Sequence, residues 1–349
     1  MDDGSRPLEM STVTRRSLAG IVGLAVGIAG LAFVGIRIAR DWDQIVETMR
    51  SANPAWLFAA VVAGLVSMTL IAVNWLSLIE RRGHATSLSS GLSWFFVGQL
   101  GKYVPGGIWP VVGQAELASR AGPDRRSTYL ATASSMTTML LGAVTVAAVS
   151  GLASPYDRWV TAALIGLGLA VGFGSLGLPQ VRTGLGRLAS AISRRPVELP
   201  DVRVVAVYTL RHVPVWVMYG AMNICVVIAL GGSIDAGLAV DLVFASALSW
   251  VVGFVIIGVP GGLGVRETVF VGLMTGPLGA TLALSVAVTS RLVTIVVDLT
   301  GAIAAATLSR FTRSAGPTSV RSPIDVTTAE AGDPDPLLQR GSDIAADGR

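Results

Sequence analysis

Two Pro-Gly-Gly segments interrupt the apolar sequence, and ionisable side chains beside each could bind an anion. Lys102 precedes Pro105-Gly106-Gly107, while Arg266 follows Pro260-Gly261-Gly262. Lysine offers a point charge to a phosphate, arginine can bind two phosphate oxygens at once, and glycine lets a headgroup approach the backbone closely. We therefore expect both segments, with Lys102 and Arg266, to form a binding site for a phosphate-bearing ligand. A lysine that reaches the membrane surface, and glycines that only permit tight helix packing, are the alternatives.

Four further charges are candidates for balancing these cations or for coupling protons. Glu116 follows the first Pro-Gly-Gly and Glu267 the second, while Arg291 and Asp298 lie seven residues apart in the last apolar block. Seven residues are close to two helical turns, so Arg291 and Asp298 are predicted on one helix face that is directed at other protein segments. Purely structural ion pairs are the alternative interpretation.

The sequence argues against several other kinds of site. Histidine occurs only at His84 and His212 and cysteine only at Cys225, so neither a zinc site nor a disulfide is expected. The phosphate-binding motif G-x-x-x-x-G-K-[ST] does not occur, which argues against ATP as an energy source. No metal or other cofactor is predicted. The basic residues are spread between apolar blocks, so a nucleic acid is not an expected partner.

The composition is that of a polytopic membrane protein. Of the 349 residues, 52% are hydrophobic and 14% are charged, against roughly 25% charged in a soluble domain. A soluble fold of this size does not have enough charges to cover so much apolar surface. We therefore expect an all-α protein of the cell (inner) membrane, surrounded by membrane lipids, and not an enzyme of the soluble type.

Long apolar blocks predict membrane-spanning helices, and the arginines between them predict orientation. The blocks are long enough to cross a bilayer and lack the alternation of barrel strands. Arginine-rich connections belong in the cytoplasm, which places both termini there. Six blocks are predicted as full spans: 18–36, 54–79, 128–149, 159–178, 204–230 and 278–308.

One further block has arginines on both sides, which a simple span does not allow. Arg81 and Arg82 precede the block 88–112, and Arg120, Arg125 and Arg126 follow it. A re-entrant hairpin enters and leaves on the same side, and the first Pro-Gly-Gly would break its helix. The region 237–274, with the second Pro-Gly-Gly, is predicted as a second hairpin that enters from outside.

A recurring motif relates the two hairpins. Leu92-Ser93-Trp94 precedes the first Pro-Gly-Gly, and Leu248-Ser249-Trp250 precedes the second at a similar spacing. We predict an inverted repeat with three spans plus one re-entrant helical hairpin in each half, although chance recurrence of common membrane residues is the alternative. Broken helices in inverted repeats are typical of transporters. The halves are placed at about 18–150 and 158–310, with cytoplasmic tails at 1–17 and 311–349, the second of them disordered.

The segments Gly101–Trp109 and Pro260–Glu267 resemble the signature segments of the lysylphosphatidylglycerol synthase transmembrane-domain family, also called flippase-like, and the resemblance covers about residues 18–310. It implies a membrane domain that moves lipids between leaflets. Some members carry a cytosolic aminoacyl-transferase domain and others are linked to polyprenyl-phosphate sugar pathways. The segment after Ser314 is too short for the synthase, so lysyl transfer is not expected. The positions that carry over are Lys102, Pro105, Gly106, Gly107, Pro260, Gly261, Gly262, Arg266 and Glu267.

These observations predict a lipid flippase that moves an anionic phospholipid or a polyprenyl-phosphate-linked headgroup between leaflets. The alternative is a non-transporting membrane partner of a glycosyltransferase or lipid synthase. A third possibility is an integral-membrane transferase in which Glu116 or Glu267 acts as acid or base.

Overall fold

The regular structure of the chain is helical throughout the residues that the computed structural model describes, namely 36, 39–40, 42–103, 109–153, 163, 166, 168, 183, 201–256, 262 and 264–314. The helices are α1 (Trp42–Arg50), α2 (Pro54–Glu80), α3 (Leu88–Gln99), α4 (Trp109–Ser119), α5 (Arg125–Ala153), α6 (Val202–Ala229), α7 (Ala236–Val255), α8 (Val265–Leu278) and α9 (Ala280–Ser314); a 3₁₀ turn occupies Leu100–Tyr103.

Five helices in the described part of the chain are long and apolar enough to cross a membrane: α2, α5, α6, α7 and, up to Arg310, α9. Four of them confirm the blocks predicted at 54–79, 128–149, 204–230 and 278–308, and the chain is a multi-pass membrane protein. The blocks 18–36 and 159–178 lie almost entirely outside the described residues, as do both predicted tails. With 20 residues, α7 is long enough to cross the bilayer, although the sequence predicted an arm of a hairpin there.

Two short helices, α3 and α4, run antiparallel against each other. Their 12 and 11 residues extend about 18 and 17 Å, less than the roughly 30 Å of a bilayer core. A Cβ on Gly98 would lie 2.6 Å from Gln114 Cγ, and one on Gly101 would lie 2.7 Å from the Trp109 carbonyl carbon. The two backbones therefore touch at glycine. Pro105, Gly106 and Gly107, at the predicted break, lie outside the described residues.

The second predicted break lies between α7 and α8. The first helix ends at Val255 and the next begins at Val265, with Pro260 and Gly261 outside the described residues. Gly262 and Gly264 have φ of 67° and 79°, a region that L side chains rarely adopt. The chain therefore leaves α7 and re-enters helix within nine residues.

Polar contacts join the central helices α2 and α6. Ser67 Oγ donates to the Val215 carbonyl at 3.0 Å, and Asn74 Nδ2 donates to the Arg211 carbonyl at 3.1 Å. Pro214, which has no N–H to donate, lies between these two acceptor residues along α6. A neighbouring α5 is tied to α2 through Trp75 Nε1, which donates to Thr132 Oγ1 at 2.9 Å. Buried Trp75, Phe95, Leu242 and Phe244 fill the apolar space between the helices.

The connections at the two ends of the α3–α4 pair also contact each other. The Asp124 backbone N–H donates to His84 Nε2 at 3.4 Å, so the segment after α2 lies beside the segment before α5. The Arg126 charge acts on Arg82, and partial burial with this like charge lowers the pKa of the Arg82 guanidinium. The pair α3–α4 thus returns the chain to the place where it left α2.

Substituting Gly98→Ala tests the close approach of α3 and α4. The new methyl would lie 2.7 Å from the Gln114 backbone nitrogen, so the helices must move apart, at a cost of about 1–3 kcal/mol. We expect a lower thermal unfolding midpoint in detergent. The matched control is Gly272→Ala in α8, where the added Cβ meets nothing within 4 Å and higher helix propensity should leave stability equal or improved. Equal midpoints for both variants would contradict the close contact.

Candidate functional site

The start of α8 fixes the Glu267 carboxylate. The Gly264 N–H donates to Glu267 Oε2 at 2.7 Å, as in a capping box. The second oxygen, Oε1, lies 3.8 Å from Arg291 Nη1 of α9. The Glu267 and Arg291 side chains are 12% and 19% exposed. Because the cap holds the carboxylate in place, Glu267 presents one oxygen to the space between α8 and α9.

Arg266 lies over two glycines and points at α6. A Cβ on Gly253 would overlap Arg266 Cγ, and one on Gly262 would lie 2.8 Å from Arg266 Cδ. The stem therefore occupies space that only glycine leaves open. At its tip, Nη2 donates to the Tyr219 hydroxyl at 3.0 Å. One of the five N–H donors of the guanidinium is thus bound by α6, and other donors remain for a ligand.

These charges line an open cavity between α6, α7, α8 and α9. Phe270 and Ala287 give part of its wall an apolar character. The charged and polar lining consists of Tyr219, Asn223, Ser249, Arg266, Glu267, Ser290, Arg291 and Thr294. Two guanidinium groups against one carboxylate make the lining net positive and suited to an anion.

A buried network behind the cavity joins three of its helices. Ser290 Oγ of α9 donates to Asn223 Oδ1 of α6, and Asn223 Nδ2 donates to Ser246 Oγ of α7 at 2.7 Å. Ser246 Oγ in turn donates to the Leu242 carbonyl. Buried polar groups are stable when their hydrogen bonds are satisfied, so this network holds the cavity wall in one arrangement.

A second charged cluster lies two turns along α9 from Arg291. The Asp298 carboxylate is fully buried, and its oxygens lie 2.8 and 2.7 Å from Lys102 Nζ. The Tyr103 hydroxyl donates to Asp298 Oδ2. The charges of Arg266 and Arg291 are close enough to act on Lys102. Lys102 therefore already has an anionic partner, and the sequence did not indicate this pairing.

The single helix α9 thus binds both predicted break regions. Asp298 holds Lys102 of the 3₁₀ turn, and Arg291 faces Glu267 of α8. Nearby, a Cβ on Gly301 would overlap the Phe96 ring of α3, so the helices pack closely there. The predicted common face of Arg291 and Asp298 is directed into the bundle, as their spacing indicates.

Glu116 is not brought to this cavity. Its Oε1 accepts a hydrogen bond from the Tyr129 hydroxyl at 3.0 Å and pairs with Arg125 Nη2 at 2.5 Å, near the α4–α5 connection. The Tyr129 hydrogen bond, together with Arg125, lowers the pKa of the Glu116 carboxyl. Glu116 and Glu267 follow similar motifs, but they have different partners. Among the described residues, no group of three His, Cys, Asp or Glu side chains could hold a metal ion.

Sequence reasoning missed Tyr219, Asn223, Ser290 and Tyr103. Tyr219 and Asn223 lie four residues apart on α6 and line the cavity together. An asparagine inside a long apolar helix was the available signal, because polar groups at that depth need partners. The partner of Asp298 had no sequence signal, since Lys102 is 196 residues away.

The comparisons with known proteins identify the family to which this chain belongs. A family model described as "Lysylphosphatidylglycerol synthase TM region" matches residues 20–301. The matched range includes Lys102, Arg266, Glu267, Arg291 and Asp298. No curated protein matches the chain.

Substituting Asp298→Asn tests the buried ion pair. Lys102 would keep its charge without a counterion, and breaking such a pair from one side typically costs about 3–5 kcal/mol. We expect a lower unfolding midpoint in detergent. Adding Lys102→Met should recover part of the loss, because the uncompensated charge is then removed. A double-mutant cycle measures this coupling, and strictly additive losses would contradict the pairing.

Proposed function

Since the chain belongs to the lysylphosphatidylglycerol synthase TM region family, we propose that it moves a lipid with a phosphate-bearing headgroup between the two leaflets of the cell (inner) membrane. The observation that carries the proposal is the cavity at Arg266 and Arg291, which has a net positive lining although it lies among apolar helices. Charged side chains among membrane helices are costly and usually mark a substrate path. The candidate substrates are an anionic phospholipid and a polyprenyl phosphate.

The phosphate is bound by guanidinium groups in this proposal. Tyr219 accepts only one of the N–H donors of Arg266, so others remain for a ligand. Arg291 Nη1 lies 3.8 Å from Glu267 Oε1. Both guanidinium groups can therefore donate hydrogen bonds to a phosphate. In this proposal the headgroup enters the open cavity, and the acyl chains stay in the surrounding bilayer. Lys102 and Asp298 act on this site through charge and packing and do not bind the phosphate directly, whereas Glu116 lies away from it with Arg125 and Tyr129.

Two re-entrant hairpins belong to the same proposal. The pairs α3–α4 and α7–α8 form the hairpins, one in each half, with halves at about 18–150 and 158–310 and both termini in the cytoplasm. The short lengths of α3 and α4 and the His84–Asp124 contact support the first hairpin. Two segments in contact lie on one side of a membrane. The interruption of the helix between Val255 and Val265 supports the second. In this proposal α7, although it is long enough to cross, ends inside the membrane and the chain returns through α8.

Cysteine accessibility tests the first hairpin. In a Cys225→Ala background, Ala85→Cys and Ala121→Cys should react with an impermeant maleimide from the same side of the membrane, the cytoplasmic one. The matched control is Ser233→Cys in the α6–α7 connection, which we expect to react from the outside. Labelling of Ala85→Cys and Ala121→Cys from opposite sides would show that α3–α4 crosses the bilayer instead.

The cavity arginines are tested by lipid movement in proteoliposomes. We expect the Arg266→Gln/Arg291→Gln variant to move fluorescent phosphatidylglycerol at least about tenfold more slowly, because each charge-assisted hydrogen bond contributes about 1.5–3 kcal/mol. Dithionite quenching of the outer leaflet measures the rate. The matched control is Arg120→Gln, an arginine outside the cavity lining.

Two results would overturn the proposal. Equal rates for wild type and the double variant would remove the cavity from the lipid path. A purified wild type that moves no lipid, but co-purifies with a glycosyltransferase or lipid synthase, would favour the non-transporting partner.

A further inference from the structure

The two ion pairs on α9 differ in the distances between their charged atoms and in their burial. Lys102 Nζ lies within 2.8 Å of both Asp298 oxygens, and Tyr103 donates a further hydrogen bond. Arg291 Nη1 lies 3.8 Å from Glu267 Oε1, beyond the range of a hydrogen bond. Asp298 is also fully buried, whereas Glu267 and Arg291 line the open cavity. The Arg291–Glu267 pair is therefore the one that an incoming anion can separate.

Glu267 can lose Arg291 without losing its place in α8. Its other oxygen, Oε2, accepts the Gly264 N–H at 2.7 Å, and this capping bond does not involve α9. The break of the Arg291–Glu267 contact therefore leaves the start of α8 intact. A carboxylate fixed beside a cation in this way has the same charge sign and the same kind of acceptor oxygen as a phosphate.

We propose that Glu267 is an internal competitor for the headgroup phosphate, an inference that rests on the proposed function. In the unliganded cavity the Glu267 carboxylate faces Arg291. A phosphate oxyanion replaces it at Arg291 and also binds Arg266, while Glu267 stays on its cap. Binding is weakened by the carboxylate that remains beside the phosphate, so the headgroup can leave again on the other side of the membrane. A transport site needs binding that is favourable enough for entry and weak enough for exit.

The other groups around Glu267 agree with this exchange. Arg266 on its own helix and Arg291 on α9 are the cations at the cavity wall, and Tyr219 of α6 holds Arg266. Lys102 is already neutralised by Asp298. Arg266 and Arg291 together exceed the single carboxylate by one positive charge, which matches one phosphodiester anion.

The variant Glu267→Gln tests the competition. Its amide oxygen can still accept the Gly264 N–H, but the negative charge is gone. We expect dihexanoylphosphatidylglycerol to bind the detergent-solubilised full chain about tenfold more tightly, because a nearby like charge is removed. Isothermal titration calorimetry measures the affinity. We also expect slower movement of fluorescent phosphatidylglycerol in proteoliposomes, since release is slower.

The matched control is Glu116→Gln, the same chemical change at a carboxylate that pairs with Arg125 and Tyr129 outside the cavity. Its affinity should equal that of wild type. Should Glu267→Gln not fold, Glu267→Asp withdraws the charge from Arg291 by one methylene, and we expect a smaller gain in affinity, about threefold. An arm with inorganic phosphate separates the ligand sources: tightening with phosphate alone identifies the free ion as sufficient, and tightening only with the lipid identifies the headgroup.

The outcomes separate this inference from the proposed function. If wild type binds and moves phosphatidylglycerol and the arginine variant does not, but Glu267→Gln binds equally or more weakly, the competitor role is wrong and the lipid path stands. If wild type neither binds nor moves the lipid, the proposed function fails, and the competitor role fails with it.

Discussion

A buried carboxylate on α9 sets the arrangement of the whole site. Asp298 is fully buried, and an unpaired charge in an apolar environment is so costly that a partner must be held against it. Lys102 supplies the opposite charge, and the Tyr103 hydroxyl donates a further hydrogen bond to Asp298. Because Lys102 lies at the end of the α3 arm, pairing fixes this arm against the last helix. The position of α9 then determines where Arg291 meets Glu267, and so where the cavity lies.

Glycine residues leave the space that the charged side chains of the site occupy. The Arg266 stem lies against Gly253 and Gly262, at distances that a methyl group would not allow, and Gly264 turns the chain so that Glu267 caps α8. The same feature occurs at α3–α4, where Gly98 and Gly101 let two backbones touch. Glycine therefore leaves room for a close neighbour at both break regions, and at the α7–α8 break it also provides the turn with positive φ.

Much of the fold follows from the sequence, because span length and helical period are local properties. Four blocks gave α2, α5, α6 and α9 within a few residues, and the spacing of Arg291 and Asp298 placed both on one inward face. Pairing across the chain is not local. Lys102 was expected to bind phosphate, yet its nearest anion is Asp298, 196 residues away. Glu116 and Glu267 follow similar motifs, yet only Glu267 reaches the cavity, because α4 turns Glu116 toward Arg125. Tyr219 had no motif at all and is found only through its contact with Arg266.

The two ion pairs on α9 are expected to respond differently to an anion that enters the cavity. A ligand can shift a structure only toward the arrangement that it binds better. Anions of the cavity compete for the weakly held Arg291, whereas Asp298 has three close contacts from Lys102 and Tyr103 and is shielded from the cavity by burial. In the proposed exchange, binding of an anion would therefore loosen α8 from α9 and leave the α3 arm attached. One break region would stay fixed while the other is released, so under the proposed function a movement produced by the headgroup would be confined to the α7–α8 side of the cavity.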